Sequence, residues 1–310
     1  MPPIHVIIVT YNAMKWAERC FTSLRNSSVP VKCVVIDNGS TDGTQEYIRK
    51  NFPEVDFTQS ETNLGFGKAN NIGIEKAYQA GAEFFYLMNQ DAWVYEHSMV
   101  EMLKVYNNHP QKEEIGIISP MHLDGSEKQL DIFFERYLAR NTPVNRIFSD
   151  VFISSLHDDY EVDFVNAAHW LLPKKTIEEI GGFNPYFFHY SEDYEYVQRV
   201  IYFHKKILIA AKSHVVHDGK QTFTKTSHIN AQRVQREQRY LNPALQFNKK
   251  ILNRDFIPSL IKQTLKLQWS NASDIYKEYR YMVGRFDEIQ NLRAILSHQG
   301  SSFLNLTQKV

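Results

Sequence analysis

The chain has 310 residues, enough for one large domain or two ordinary ones with a substantial core. Hydrophobic residues make up 43% and charged residues 23%, which excludes a disordered or fibrous chain; 35 Lys and Arg against 35 Asp and Glu exclude a generally basic nucleic-acid coat. Two cysteines, Cys20 and Cys33, are too few for a disulfide scaffold, the N-terminus lacks the basic start of a signal peptide, and no apolar run nears the roughly 20 residues that span a bilayer, so reduced thiols and a cytoplasmic location are expected.

Ile4 to Thr10 is a continuous apolar run, as for a strand buried on both faces. Ala13 to Arg25 follows at helical spacing, with Trp16, Cys20 and Leu24 on one stripe. Lys32 to Asp37 reads as a second strand, Asp42 to Asn51 as a short helix and Val55 to Gln59 as a third strand. Gly67 to Ala80 reads as a helix, Phe84 to Asn89 as a fourth strand, Ser98 to Tyr106 as a helix and Ile115 to Ser119 as a strand. This alternation predicts a mostly parallel, doubly wound α/β sheet flanked by helices. After Pro120 the rhythm breaks, and residues 121–160 are expected to form hairpins and a variable loop. Asp163 to Pro173 suggests one or two strands, Lys174 to Ile180 a helix ended by Gly181-Gly182, Glu192 to His204 a helix and Lys206 to Ala211 a strand.

From about residue 228 to near 297 the pattern is helical, interrupted at Pro243 and Pro258. The predicted division is a domain over 1–227 and a helical C-terminal extension over 228–310. Residues 212–268 hold 11 Lys and Arg against 3 Asp and Glu, a net charge of +8 that suggests an anionic surface nearby. Within that stretch Ile257, Leu260, Ile261, Leu265 and Trp269 recur at helical spacing, with Lys262 and Lys266 between them. Such a stripe either packs on the N-terminal domain or a second copy, or lies on an anionic membrane.

Several strand ends carry residues suited to chemistry. In open parallel sheets, ligands bind beyond the carboxyl ends of strands. There Tyr11 could stack on a base while Thr10 and Asn12 bond its edge; a polar turn ahead of the next helix is the alternative. Asp37 ends the second strand and could accept from a base N–H or a ribose hydroxyl. Gly65, Lys68 and Asn70 fall in the stretch Asn63 to Gly73, where a helix start could offer N–H groups and a cation to a diphosphate, or could simply pack tightly. Asp91, in Asn89-Gln90-Asp91, could hold Mg²⁺ or Mn²⁺ together with phosphate oxygens. No Gly-x-Gly-x-x-Gly follows the first strand, which counts against a dinucleotide site. An aromatic-rich run from Gly181 leads into Glu192-Asp193, which suits a general base beside a sugar platform or, alternatively, acids at a helix start. His217 is a metal ligand or a satisfied core histidine.

Taken in order, Val9-Thr10-Tyr11-Asn12, Asp37 to Gly43, Asn63 to Gly73, Asn89-Gln90-Asp91, Gly181-Gly182-Phe183, Glu192-Asp193 and His217 resemble the family 2 glycosyltransferases of the GT-A fold. The resemblance covers roughly residues 3 to 220, and Asn63 to Asn71 looks most like the rhamnosyltransferase-like branch that builds bacterial surface polysaccharides. It implies that Thr10, Tyr11 and Asp37 bind the base and ribose of a UDP- or dTDP-sugar, that Asp91 with His217 coordinates Mn²⁺ or Mg²⁺, and that Asp193, beside Glu192, is the base. Asn89, Trp170, His189 and Tyr190 are the candidates for contact with the donor or acceptor sugar. The implied reaction is inverting transfer to a glycan or lipid-linked acceptor, with no nucleic-acid partner; a homodimer and peripheral contact with the inner face of the plasma membrane are left open. One position departs: Asn89 stands where the family often has the first acid of Asp-x-Asp, which should weaken metal binding. Two other readings are a non-catalytic nucleotide- or glycan-binding relic and a sugar-1-phosphate nucleotidyltransferase. The latter wants a Gly-rich, Arg-containing loop where this chain has Tyr11-Asn12-Ala13-Met14-Lys15.

Overall fold

In the computed structural model, residues 3–140, 146–219 and 227–307 are described. The first two residues of the N-terminal reading, part of the 121–160 stretch and the segment just ahead of the predicted 227/228 boundary lie outside them. The chain forms two compact units, residues 1–221 with 299–310, and residues 222–298.

The first unit begins with β1 (Ile4–Thr10), α1 (Ala17–Arg25), β2 (Val31–Asp37), α2 (Thr44–Asn51), β3 (Asp56–Gln59) and α3 (Phe66–Gln79). It continues through β4 (Phe84–Asn89), β5 (Ala92–Val94), α4 (Ser98–Asn108), β6 (Ile115–Leu123), α5 (Ile132–Arg140) and α6 (Ile147–Phe152). It then adds β7 (Asp159–Val162), β8 (His169–Pro173), α7 (Lys174–Ile180), α8 (Glu192–Tyr202) and β9 (Lys206–His217). One sheet has the order β3-β2-β1-β4-β8-β6-β9-β5, with β7 beside β9. β1 to β4, β6 and β9 run in one direction, and β5, β7 and β8 run against them. The sheet is thus mostly parallel, as the strand–helix alternation implies.

Strand periodicity decides the two faces. Ile7, Ile36, Phe85 and Leu87 pack with Ala69, Ile74 and Ala77 of α3, Ile177 of α7 and Tyr196 of α8. Val6, Ile8, Val35, Tyr86 and Met88 pack the other way, on Cys20, Phe21 and Leu24 of α1 and Met99, Met102 and Leu103 of α4. Both faces are therefore covered, which is why the parallel strands read as unbroken apolar runs. The shared direction brings Thr10, Asp37, Asn89 and His217, each the last residue of its strand, to one edge.

Four sequence expectations need correction. Residues 121–160 hold the end of β6, two helices and the start of β7; the Leu123–Leu130 bridge is the hairpin-like element among the described residues there. Phe134 and Leu138 of α5 are buried one helical turn apart, while most of the neighbouring side chains face outward. β6 runs through Pro120 to Leu123, because a register shift between Pro120 and Met121 absorbs the missing donor. β9 extends beyond Ala211 to His217, since exposed Lys212 and His214 alternate with buried Ser213 and Val215.

The second unit contains α9 (Ser227–Leu241), α10 (Lys249–Leu265), α11 (Trp269–Gly284) and α12 (Phe286–Leu296). Tyr240, Leu252, Phe256, Ala272, Met282 and Ile289 are buried within it. The fourth correction falls here: Pro258 lies exposed inside α10 without ending it, and the helix stops instead at Leu265. Trp269 therefore opens α11 and does not continue the stripe of Ile257, Leu260, Ile261 and Leu265. Among the described residues no helix is long and apolar enough to cross a membrane.

Candidate active site

The β1–α1 and β2–α2 loops are built on buried polar contacts. Asp37 accepts from Thr10 Oγ1 (2.8 Å), Gly39 N (3.2 Å), Ser40 N (2.9 Å), Ser40 Oγ (2.5 Å) and Gln45 Nε2 (2.9 Å). Thr10 and Asp37 are both 0% exposed, so the expected contact with a base or ribose is not open to them, and they hold the loops in place instead. Asn12, at φ 52°, is a third lock: its Oδ1 accepts from Thr41 N (2.8 Å) and its N–H donates to Ser40 Oγ (2.9 Å). Tyr11 rises above this base with 48% of its surface free. Gln90 pins its backbone from both sides, accepting from Tyr11 N (2.6 Å) and donating to Tyr11 O (3.1 Å).

A cavity of about 400 Å³ opens beside Tyr11. Asn38, Asn63, Gly65, Asn89, Asp91 and His189 are among its lining residues. Gly65 has φ 82°, and a Cβ there would sit 2.2 Å from the Phe188 carbonyl oxygen, so glycine alone permits this close approach. The approach is sealed by Phe66 N donating to Phe188 O (3.2 Å). Lys68 is exposed on the first turn of α3 and Asn70 is buried, donating to Phe66 O (3.0 Å); neither lines the cavity. Asn38, next to Asp37, is a lining residue that the strand-end reasoning passed over. Its Nδ2 donates to Gly65 O (3.3 Å).

At the far side of the cavity, β4 and β9 end together. Asp91 Oδ1 lies 3.7 Å from His217 Nε2, and Asn89 Nδ2 lies 3.4 Å from the same nitrogen. The other imidazole nitrogen, Nδ1, is 3.3 Å from Asp131 Oδ2. Asp131 Oδ1 meanwhile accepts from Phe133 N and Phe134 N, both at 2.9 Å, and so caps α5. Burial opposes a charge on His217, yet the Asp131 hydrogen bond and the carboxylates of Asp91, Asp131 and Asp218 together raise it above its ordinary value. Behind it, His169 is held by Tyr86 OH (2.7 Å) and burial drives it down to about 3, leaving that ring neutral. Asp131 escaped the sequence reading, although an Asp directly before an apolar helical run is an N-cap signal.

Gly219 lies against the Asp91–His217 pair. A Cβ at this position would meet His217 Nε2 at 2.7 Å and Asp91 Oδ2 at 3.1 Å, so the glycine keeps open the space over the pair. The β9 end is tied down by Asp218, whose N–H donates to Asp91 O (2.8 Å) and whose Oδ2 accepts from Trp16 Nε1 (2.8 Å) and Lys15 Nζ (3.0 Å). No group of three or more His, Cys, Asp or Glu side chains that could hold a metal occurs among the described residues. Asp91 on the cavity wall, with the buried His217 nitrogen beside it, still fits a hard divalent cation that takes its remaining ligands from phosphate and water.

Glu192 and Asp193 start α8 after two left-handed residues, Tyr190 (φ 66°) and Ser191 (φ 88°). Such strain persists only where surroundings fix it. Part of that fixing comes from buried Arg199 on α8, which pairs with Glu195 (2.8 Å) and donates to Gly182 O (2.7 Å). Burial pushes both carboxyls up, and for Glu192 the neighbouring Asp193 adds to the effect. Glu192 Oε2 is buried with no hydrogen-bond partner. Backbone hydrogen bonds, one of them from Ala167, partly offset the rise at Asp193. The next residue, Ala168, accepts from Asn89 N (3.0 Å), so this acid belongs to the same sheet edge as the Asp91–His217 pair. Tyr190 is exposed and lies against His189, the two rings tilted with centroids 4.0 Å apart. Trp170 corrects its expectation: at 0% exposure it packs between Phe183 and Tyr196 in the core, where no sugar reaches it.

Residues 5–152 match the family model described as Glycosyl transferase family 2. The chain is 36% identical over 94 residues to an N-acetylglucosaminyl-diphospho-decaprenol L-rhamnosyltransferase of Mycobacterium tuberculosis, covering 29% of each chain. It is 21% identical over 202 residues to a low-salt glycan biosynthesis hexosyltransferase of Haloferax volcanii, covering 63% of this chain and 61% of that protein. The matches thus span less than two thirds of these relatives' length. Among solved structures, S. aureus TarS 1–349 in complex with UDP-GlcNAc is similar with a TM-score of 0.55 and 16% identity, over 96% of this chain and 90% of that one. That likeness shows the shared GT-A fold.

Proposed function

We propose, from the match of residues 5–152 to the Glycosyl transferase family 2 model, that the chain transfers a sugar from a UDP- or dTDP-sugar to a glycan or lipid-linked acceptor, with inversion. The observation that carries the proposal is Asp91, which lines a cavity together with exposed Tyr11 and lies 3.7 Å from buried His217. Asp91 and His217 would hold Mn²⁺ or Mg²⁺, which when bound supplies Lewis-acid stabilisation of the departing diphosphate. Tyr11 offers its ring to the base, and His189 lines the same cavity on the sugar side. Asp193 takes the proton of the acceptor hydroxyl as that oxygen bonds to the anomeric carbon and the bond to the diphosphate breaks. A single displacement of this kind inverts the centre and needs no protein nucleophile. α6 supports a lipid-linked acceptor, since Phe148, Val151 and Phe152 stand exposed on it. An acceptor of that type would place the reaction at a membrane surface.

Thermal shift with UDP, dTDP, GDP and CMP, each with and without Mn²⁺, tests the proposal. Metal-dependent stabilisation by UDP or dTDP is expected, because a ligand of the native state raises its stability. Failure of all four to shift the melting point would favour the non-catalytic reading.

Asp131 gives a sharper prediction. A carboxylate on the outer nitrogen of a ligating histidine fixes the ring's tautomer and orientation. Asp131→Asn keeps an oxygen to cap α5 but loses the charge facing His217, so Mn²⁺ affinity should fall about 10–100-fold. Its melting temperature should stay near that of the parent, since Asn caps nearly as well as Asp. Calorimetric titration of Mn²⁺ with UDP present checks this, and unchanged affinity would remove Asp131 from the site.

A further inference from the structure

We propose that the tip of the α10–α11 hairpin docks on an anionic lipid bilayer surface. The two helices pack side by side and are joined by Lys266-Leu267-Gln268. At this turn four large apolar side chains face water: Ile261 (53% exposed), Leu265 (79%), Leu267 (71%) and Trp269 (63%). Single exposed apolar residues are ordinary, but four within nine residues around one helix–helix turn are a concentration of apolar surface that water penalises.

The backbone adds a second, independent observation. α10 ends in a turn where Gln268 N donates to Gln263 O (3.0 Å) and Leu267 N to Thr264 O (3.0 Å). Leu267 takes the left-handed position of that motif, at φ 58°. Glycine normally fills it, because a Cβ there is strained. This chain instead places a leucine at the strained position and turns its side chain outward, so folding alone does not account for the choice.

Charge complementarity selects the occupant. From Phe256 to Ser273 the chain has Lys262 and Lys266 and no acidic residue, and both lysines are exposed. Aliphatic side chains enter the acyl boundary, a Trp suits the headgroup level, and lysines reach the anionic phosphates. A protein groove would satisfy the apolar groups but would leave the two lysines without a reason. The surface lies wholly within residues 222–298 and does not depend on the nucleotide-sugar reading.

The test is flotation of the full chain with phosphatidylcholine vesicles, with and without phosphatidylglycerol, alongside Trp fluorescence and sedimentation velocity. The parent is expected to float with the phosphatidylglycerol vesicles, with a blue shift in emission that Trp269→Phe abolishes. Leu267→Gly relieves the backbone strain, so its melting temperature should hold or rise while its vesicle partition falls about tenfold. Leu265→Ser combined with Trp269→Ser should abolish flotation. A parent that ignores anionic vesicles, or variants that float as well as the parent, would overturn the proposal. So would a parent dimer that the double variant dissociates in the absence of any lipid binding, since the tip would then be covered by a second copy.

Discussion

Replacing Asp193 by asparagine is expected to lower kcat by about 10²–10⁴-fold and to leave donor binding intact. The substitution keeps size and polarity but removes the carboxylate proposed to accept the hydroxyl proton. Burial holds the Asp193 carboxyl above its ordinary range, so the active base form accumulates only as pH rises through that higher value. The parent's kcat/KM should therefore show an acidic limb above the roughly pH 4 of an ordinary aspartate. The stability consequence has the opposite sign. A carboxyl whose folded pKa is raised binds its proton more tightly in the native state, so stability declines as pH rises from the unfolded value through the folded one. Asn at this position removes that cost, and the variant's melting temperature at neutral pH should equal or exceed the parent's. A slow, stable variant separates a catalytic role from a structural one. A variant that is slow because it melts earlier contradicts the assignment.

Asp91→Asn is expected to lower kcat by about 100-fold or more when Mn²⁺ is present, with a smaller effect on donor affinity. The adjacent position is already neutral: Asn89 lies 3.4 Å from His217 Nε2, where the family often has an acid. Among the described residues Asp91 is then the one carboxylate lining the cavity, and its loss leaves His217 Nε2 without its acidic neighbour while Asp131 still faces Nδ1. Raising Mn²⁺ should recover part of the lost rate, because the remaining donors still bind weakly. Steady-state kinetics across a Mn²⁺ series and donor titration by calorimetry separate the two effects. Activity equal to that of the parent would place the diphosphate elsewhere.

The parallel half of the sheet was legible because its strands are buried on both faces, so Ile4–Thr10 and Phe84–Asn89 carry unbroken apolar runs. β5 was not, since three residues carry no period, although Ala92 pairs with His217 and so helps bring Asp91 beside it. α5 was missed for a different reason: Pro120 looked like the end of order, whereas a bulge carries β6 past it to the loop that holds Asp131. The candidate site was legible at strand ends, where Tyr11, Asp91 and His217 stand at or just beyond the ends of β1, β4 and β9. Thr10 and Asp37 were also found, but sequence could not show that they spend their hydrogen bonds on each other and on the loop. Aromatic residues were the hardest to place. Trp170 and Tyr190 read alike as rings near a motif, yet one lies on β8 between two packed layers and the other at a strained, exposed turn.

The decisive measurement is release of nucleoside diphosphate from UDP- and dTDP-sugars with Mn²⁺ and a lipid-diphosphate glycan acceptor, comparing parent with Asp193→Asn. The parent should release UDP or dTDP and yield a glycoside whose anomeric configuration by NMR is inverted from that of the donor, while the variant binds donor and releases almost none. Equal release by the two proteins, or a product that retains the donor's configuration, would contradict a single displacement driven by Asp193 at this sheet edge.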